Sequence, residues 1–327
     1  MIVGFIEKAN PCRLLSPFLP DKIGGRPAWL SLNNLPPQEV FQCEICKNVM
    51  VFILQVCQLT IESQFDQIYS PIDELAVCFH RFLYVFMCKN GSCFGEERTP
   101  FLLLRCQLPR RNDFYRFDPP PEISESTTPK DIASMIDRNL LNDFLCFQKT
   151  CSVCGIPADK YCSKCNKKYY CCREHQVLDW NSHKTLCPEQ NQLKERISSL
   201  MQVNREGEEQ DEETRALEEI ARKATPEEKV MSKFKELMAE FPDQVIRFQR
   251  EGTPFLLNQV QIPDCKACGS DMVFEFQITP QILTYLKLDK LGEKTPDFGT
   301  VLGYTCRNSC TPCQGAYQKE FIHCQYF

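Results

Sequence analysis

The chain has 327 residues, 43% hydrophobic and 11% aromatic, which is enough for two or three packed units. Its net charge of −5 argues against a general nucleic-acid binder, and no run approaches the roughly twenty apolar residues of a membrane span. We therefore expect a soluble protein with a basic protein partner and no direct contact with nucleic acid or membrane. The first residues do not resemble a signal peptide, so we expect the 22 cysteines to be reduced, which favours zinc sites over disulfides.

Apolar stretches without Gly or Pro predict three strands in the first third of the chain. These are Met50–Val56, Phe79–Cys88 and Phe101–Leu108, all rich in β-branched, aromatic or leucine residues. Pro119–Pro121 begins a Ser/Thr-rich stretch that is typical of an extended linker. Apolar residues at helical spacing then predict a helix over Asp131–Phe147.

The region after Cys187 is polar, and 206–213 is mostly acidic, as in a solvated tether or helix surface. Thr225, Pro226 and Glu228 form a helix start with a capping box. Apolar residues from Met231 onward recur every three or four positions, so we expect this helix to pack within the chain. Three further strands and a helix follow, at Met272–Ile278, Pro280–Lys290 (the helix), Val301–Cys306 and Glu320–Tyr326.

Three ordered blocks of the sequence occur twice, which predicts a duplicated domain. Each copy has a Gly-x-Pro string, a Cys-x-x-Cys pair followed by Met-Val-Phe, and a second cysteine pair. We predict that four cysteines per copy bind one zinc ion: Cys43, Cys46, Cys88 and Cys93 in the first, and Cys265, Cys268, Cys306 and Cys310 in the second. Cys313 also follows Cys310 at knuckle spacing, so it stays an alternative to Cys306 or Cys310.

A third cluster with different spacing lies between the copies. It offers eight ligands in four pairs, enough for two tetrahedral zinc sites: Cys151, Cys154, Cys162, Cys165, Cys171, His175, His183 and Cys187. Because every proposed site is filled by four protein ligands, we expect the metals to be structural and the protein not to be an enzyme. His80 and His323 sit in strand-like runs and are expected to be core or surface residues. Thiols without paired spacing are expected to be buried and apolar, namely Cys12, Cys57, Cys78, Cys106, Cys146 and Cys324.

The expected fold is α+β, a duplicated small zinc-clipped β-sheet domain with an inserted zinc finger and helical linkers. The predicted units are an N-terminal half (1–118), a linker and helix (119–150), the finger (151–187), an acidic and helical linker (188–241) and a C-terminal half (242–327). We expect each half to form its own small sheet, and the two halves to hold an extended segment of a partner in the groove between them.

The central cluster resembles the MYND finger, whose pattern also has a Gln and a Trp at the positions of Gln176 and Trp180. This resemblance implies interleaved pairing, with Cys151, Cys154, Cys171 and His175 on one zinc ion and Cys162, Cys165, His183 and Cys187 on the other. Some MYND fingers bind short proline-rich peptides at the positions of Gln176 and Trp180. The alternative is that Trp180 only packs within the finger. Cys172 is expected to be a thiol that does not bind the metal.

The whole chain resembles the programmed cell death protein 2 family, through the ordered strings Lys22–Leu30, Gln107–Tyr115, the finger and Phe274–Gln277. The resemblance implies a non-enzymatic chaperone that captures a newly made small-subunit ribosomal protein, the homologue of bacterial S five, during ribosome biogenesis. It implies a cytoplasmic and nuclear location, and the family name reflects an association with apoptosis. The alternatives are a transcriptional adaptor that recruits proline-rich co-repressor motifs through the finger, and a ubiquitin ligase, since RING fingers share the interleaved topology.

Overall fold

The computed structural model describes residues 2–57, 75–118, 120–138, 140–141, 149–187, 239–289 and 295–327. Its strands are β1 (Ile2–Gly4), β2 (Lys22–Ile23), β3 (Val51–Cys57), β4 (His80–Met87), β5 (Phe101–Leu108), β6 (Lys160–Tyr161), β7 (Tyr169–Tyr170), β8 (Ile246–Phe248), β9 (Met272–Ile278), β10 (Thr300–Cys306) and β11 (Tyr317–Gln325). The helices are α1 (Pro129–Asp137), α2 (Arg173–Leu186) and α3 (Gln281–Tyr285). No helix in these ranges is long and apolar enough to cross a bilayer.

Nine strands form one curled antiparallel sheet in the order β1-β8-β9-β10-β11-β5-β4-β3-β2. The predicted halves are therefore not two separate sheets, because β11 pairs with β5 in the middle, with Tyr317 opposite Cys106 and Glu320 opposite Leu103. Pairing these strands removes two exposed sheet edges, each of which would carry unpaired backbone groups. The groove expected between the halves is consequently filled by backbone hydrogen bonds.

All six predicted strands are present, with ends that differ from the prediction by at most three residues. β1, β2 and β8 have only two or three residues each, which is too short for a hydrophobic period to reveal them. β3 and β9 each contain an extra residue relative to their partner strand, Ile53 and Glu275, so the register shifts at both places. Both extra residues lie ten positions after the first cysteine of their Cys-x-x-Cys pair, and both are fully buried.

The two faces of the sheet carry two different cores. Leu83 and Val85 on β4 point into an inner core that also contains Phe276 and Val301 from the C-terminal part of the chain. The intervening residues of β4, Phe82, Tyr84 and Phe86, point into an outer core on the opposite face. Burial of each such side chain stabilises the fold by roughly 1.5–3 kcal/mol. The inner core therefore holds the N-terminal and C-terminal parts of the chain together.

Buried ion pairs join the same two regions. Arg81 on β4 forms a two-pronged ion pair with Glu275 on β9, both Nη–Oε distances being 3.0 Å, and both side chains are fully buried. Arg250 is also 3.0 Å from Glu275. Burial opposes ionisation of Glu275, but Arg81 and Arg250 hold the pKa of its carboxyl below the usual range. A second buried pair, Arg105 with Glu320 at 2.6 Å, lies at the β5–β11 junction.

The helices are shorter than predicted. α1 starts after Thr128, whose hydroxyl and the Asp131 carboxylate form a capping box, and it ends at Asp137 within the expected 131–147 helix. α3 covers only five residues of the expected 280–290 helix, because Lys287 adopts a positive φ of 55° soon after its end. Residues 142–148 lie outside the described residues. The expected helix that starts at Thr225 also lies outside them, apart from its last positions, from residue 239 onward.

Candidate metal centres

The sixteen predicted ligands fall into four groups of four, and within each group the ligand atoms all lie within 4.8 Å of one another. In sequence order the groups are Cys43, Cys46, Cys88 and Cys93; Cys151, Cys154, Cys171 and His175; Cys162, Cys165, His183 and Cys187; and Cys265, Cys268, Cys306 and Cys310. The two finger groups are interleaved along the chain. The other two each join a loop to the ends of neighbouring strands, β3 with β4 and β9 with β10.

The four Cys-x-x-Cys pairs that belong to these groups sit in the same kind of tight turn. The N–H group four residues after the first cysteine donates back to its carbonyl at 2.8–2.9 Å in all four turns. The residue that donates adopts a positive φ of 55–74° in every case: Lys47, Gly155, Asn166 and Gly269. Gly and Asn tolerate this conformation better than other residues, which is why they follow three of the four pairs. The turn brings the two sulfurs of a pair to one side of the loop.

The distances inside the groups fit a tetrahedral ion. Zinc–sulfur bonds of about 2.3 Å place sulfurs about 3.8 Å apart in a tetrahedron. Cys46 and Cys88 have sulfurs 3.6 Å apart, and the pairs Cys265–Cys310 and Cys268–Cys306 are at 3.5 Å. All of these are far longer than the roughly 2 Å of a disulfide, so these described thiols are free.

The two finger histidines face their groups through different ring nitrogens. His175 places Nδ1 at 3.5 Å from Cys151 Sγ and 3.1 Å from Cys171 Sγ. His183 places Nε2 at 3.4 Å from Cys165 Sγ. Imidazole nitrogen and thiolate are the ligands that zinc prefers in structural sites, so the donor set fits this metal.

Each group contains one thiol that ionises more readily than usual, always within the Cys-x-x-Cys pair. Burial opposes ionisation of Cys46, but the Asn48 N–H and neighbouring thiols lower its pKa to about 7. Burial also opposes ionisation of Cys162, but the N–H groups of Cys165 and Lys164 lower its pKa to about 6. Hydrogen bonds from neighbouring thiols lower the pKa of Cys151. Burial opposes ionisation of Cys265, but backbone N–H groups and neighbouring thiols lower its pKa as well. A thiolate is the form that binds metal, so the lowered pKa of one thiol in each group favours metal binding.

Each group consists of four protein side chains, and in two of the four groups three of these side chains are buried. A bound ion would therefore have no open position for water or substrate, as in structural rather than catalytic zinc sites. The chemistry that zinc supplies there is cross-linking: it would tie each cysteine turn to a distant part of the chain.

The finger docks on the outer core of the first half. Trp29 is 3% exposed, and its indole Nε1 donates to the Gly155 carbonyl at 2.8 Å. Gln38 Nε2 donates to the Cys171 carbonyl at 2.7 Å, and Ile156 of the finger is buried in the same core. The sequence identified the string around Trp29 only as a repeated block. The sequence feature that could have indicated this docking role is Trp29, because the second copy has Leu256 at the corresponding position.

Gln176 and Trp180 lie on one face of α2, where they line a shallow hollow with Arg173 and Val177. Trp180 is 43% exposed and makes an edge contact with the ring of His183. The tryptophan thus both touches a ligand residue and presents apolar surface to solvent. This arrangement is compatible with both interpretations of Trp180, and peptide binding stays a prediction.

The remaining thiols lie outside the four groups. Cys313 is exposed and belongs to none of them, and Cys172 is half-buried beside Cys171. Cys12, Cys78, Cys106 and Cys324 are buried, whereas the side chains of Cys57 and Cys146 are outside the described residues. His80 is buried in β4, and burial together with the Arg110 charge lowers its pKa to about 4. His323 is half-buried in β11 and stacks on Phe321.

Comparisons with known proteins agree with the motifs. Residues 1–122 match the family model described as programmed cell death protein 2, N-terminal domain, residues 228–326 match the model of its C-terminal putative domain, and 151–187 match the MYND finger. The chain is 34% identical to programmed cell death protein 2 of Bos taurus over 98% of this chain and 94% of that protein. For the Rattus norvegicus protein of that name the identity is 32% with the same coverage.

A more distant relative is the probable 20S rRNA accumulation protein 4 of Schizosaccharomyces pombe, 29% identical over 26% of this chain and 24% of that protein. No solved structure matches the chain. The chain's similarity to known proteins therefore rests on the curated relatives and the family models.

Proposed function

Because the chain belongs to the programmed cell death protein 2 family, we propose that it is a non-enzymatic chaperone for a newly made small-subunit ribosomal protein. The proposed client is the homologue of bacterial S five, held soluble until it joins the small ribosomal subunit. The observation that carries this proposal is that all four metal groups are completed by four protein side chains, which leaves them no reactive position. The body they stabilise is thus suited to binding.

Two further observations support this role. The name of the S. pombe relative concerns 20S rRNA accumulation, which fits a task in ribosome biogenesis. The net charge of −5 favours association with a basic ribosomal protein, since opposite charge raises encounter rates. We also propose that each group binds one zinc ion, two in the finger and one in each half, and that the halves are structural repeats.

The client must bind somewhere other than in a groove between the halves, because β5 and β11 pair directly with each other there. β1 and β2 stand at the two ends of the nine-stranded sheet and have no further strand partner among the described residues. We propose that an extended client segment pairs with one of these edges, as in β-strand addition. The proposed location is cytoplasmic and nuclear, where the client is made and assembled.

Co-expression tests the proposal directly. The ribosomal protein should become more soluble and co-purify with the zinc-loaded chain in a stoichiometric complex, and elemental analysis should give four zinc ions per chain. Unchanged client solubility without co-purification would contradict the chaperone role. A zinc content well below four with intact folding would instead contradict only the metal assignment.

The hollow beside Trp180 favours a second candidate, an adaptor that recruits proline-rich co-repressor motifs. Trp180 offers a half-exposed aromatic surface of the kind that proline-rich segments use. Trp180→Ala should abolish binding of a labelled proline-rich peptide and leave capture of the ribosomal client unchanged. Loss of both activities with intact zinc content would mean that the finger itself holds the client.

A further inference from the structure

The loop after β5 presents basic and aromatic side chains that neither proposed activity uses. Arg110 and Arg111 are exposed, and Phe117 is 50% exposed beside them. The guanidinium carbon of Arg110 lies 4.1 Å from the ring centroid of Phe117 and 5.1 Å from that of Phe79. That of Arg111 lies 5.7 Å from Phe117. We call Arg110, Arg111 and Phe117 the arginine surface.

The arginine surface is held in place by its own loop. The Asn112 side-chain oxygen accepts from the N–H groups of Phe114 and Tyr115 at 2.8 Å, and its amide donates to the Pro109 carbonyl at 2.9 Å. Tyr115 is buried, and its hydroxyl donates to the Trp29 carbonyl at 3.4 Å. This turn fixes the backbone on both sides of the arginines. The loop is therefore ordered before any partner arrives, which lowers the entropic cost of binding.

The charges of Arg110 and Arg111 are not used in ion pairs within the described structure. Within the part of the chain that the structure describes, no carboxylate forms an ion pair with Arg110 or Arg111, although Asp113 and Asp118 lie in the same loop. Behind them, His80 is neutral near pH 7 because burial and the Arg110 charge lower its pKa to about 4. The guanidinium groups contact aromatic rings and keep hydrogen-bond donors for an external anion.

We propose that the arginine surface binds an acidic peptide segment of another protein, with carboxylates on Arg110 and Arg111 and an apolar side chain against Phe117. A guanidinium matches a carboxylate with two parallel hydrogen bonds. A nucleic acid would need several phosphate contacts to bind well, and a chain of net charge −5 with two fixed arginines here repels a long polyanion. The partner is acidic, unlike the basic client proposed above, so the two contacts are separate.

Fluorescence anisotropy of the intact, zinc-loaded chain tests this proposal. The probes are a short labelled peptide rich in Glu and Leu, the same peptide with Glu replaced by Gln, and labelled oligouridine. The acidic peptide should bind most tightly, and Arg110→Ala with Arg111→Ala should weaken it at least about tenfold, which corresponds to about 1.4 kcal/mol. Replacing both arginines by lysine should restore only part of the affinity, because lysine lacks the planar fork.

Lys130→Ala with Arg138→Ala is the matched control and should bind like the unsubstituted chain. Both residues are exposed and lie away from this loop in sequence, Lys130 on α1 and Arg138 at its C-terminal cap. Equal binding of the acidic and neutral peptides, tighter binding of oligouridine, or an unchanged alanine variant would overturn the proposal. If the alanine variant loses zinc, salt titration of the unsubstituted chain decides: an affinity that does not fall with salt contradicts the charge contact. Client solubility is read separately, so either proposal can fail alone.

Discussion

Trp29 and Leu256 stand at the same place in the two repeated strings, four residues after Gly25 and Gly252, yet Trp29 is 3% exposed and Leu256 37%. In the first half the finger covers this segment and contributes Cys151, Ile156 and other residues to the outer core. The corresponding face of the second half has a small cluster of Phe274, Leu302 and Tyr304. Similar cysteine turns thus carry two surfaces: the inserted finger covers Trp29 in the first half, whereas Leu256 in the second half is partly exposed to solvent.

The largest expected loss of stability comes from removing the buried ion pair between the halves. Arg81→Ala removes the buried partner of Glu275 and should lower the free energy of unfolding by about 3–5 kcal/mol, because a buried carboxylate loses its main counter-charge. Lys319→Ala is the control, since Lys319 and Glu44 also join the halves but are 59% and 81% exposed, and should cost about 1 kcal/mol or less. Denaturant unfolding measures both, and equal losses would mean that burial does not set the strength of this connection.

Truncation of Trp29 and of Leu256 tests this difference in exposure directly. Trp29→Ala should cost about 3–5 kcal/mol, as a buried aromatic residue and its bond to Gly155 are lost. Leu256→Ala should change stability by about 0.5 kcal/mol, because Leu256 is already partly in solvent. Thermal unfolding at fixed zinc concentration gives the comparison. A large loss for Leu256→Ala would show that the second face is covered in solution.

Acid should weaken the first half more than the second. His80 lies eight residues before Cys88, where the second half has Phe298 eight residues before Cys306. The folded pKa of His80, about 4, is below its unfolded value near 6.5, so its stabilising effect is complete above pH 6.5 and lost as pH falls toward 4. Between pH 6.5 and 4 the free energy of unfolding should fall by on the order of 3 kcal/mol because of His80.

His80→Phe should remove this part of the acid sensitivity, measured as unfolding free energy at several pH values between 7 and about 4. Tyr115, whose ring centroid lies 5.2 Å from that of His80, is left unchanged as an internal reference for folding. A variant that loses stability with acid as steeply as the unsubstituted chain would assign the sensitivity to the cysteine groups instead.

The smallest expected difference concerns two glycines in equivalent turns. Gly155 and Gly269 both have positive φ, 74° and 71°, so alanine at either position costs about 1–2 kcal/mol in backbone strain. A Cβ at Gly155 would also lie 3.1 Å from Arg26 and Pro27, whereas at Gly269 nothing lies within 4 Å. Gly155→Ala should therefore destabilise more and loosen the finger, seen as a red shift of Trp29 emission. Equal losses would show that the finger yields at this contact.

Local features were predictable from the sequence. The Cys-x-x-Cys turns depend on a few adjacent residues, and the strands from Met272 and Phe101 consist mostly of apolar residues. The family was predicted from its ordered strings and is confirmed by the comparisons. The helix ends were less predictable, because the stop after α3 depends on one positive φ at Lys287. The domain boundaries stay predictions.

The sequence by itself determined which side chains can hold metal, because a pair of cysteines separated by two residues imposes its geometry over a single turn. Only the tertiary structure decided that β5 and β11 join the halves into one sheet, that Arg81 meets Glu275, and that Trp29 receives the finger. These contacts link residues more than a hundred positions apart, and their free energy comes from burial and partner geometry that no local pattern contains.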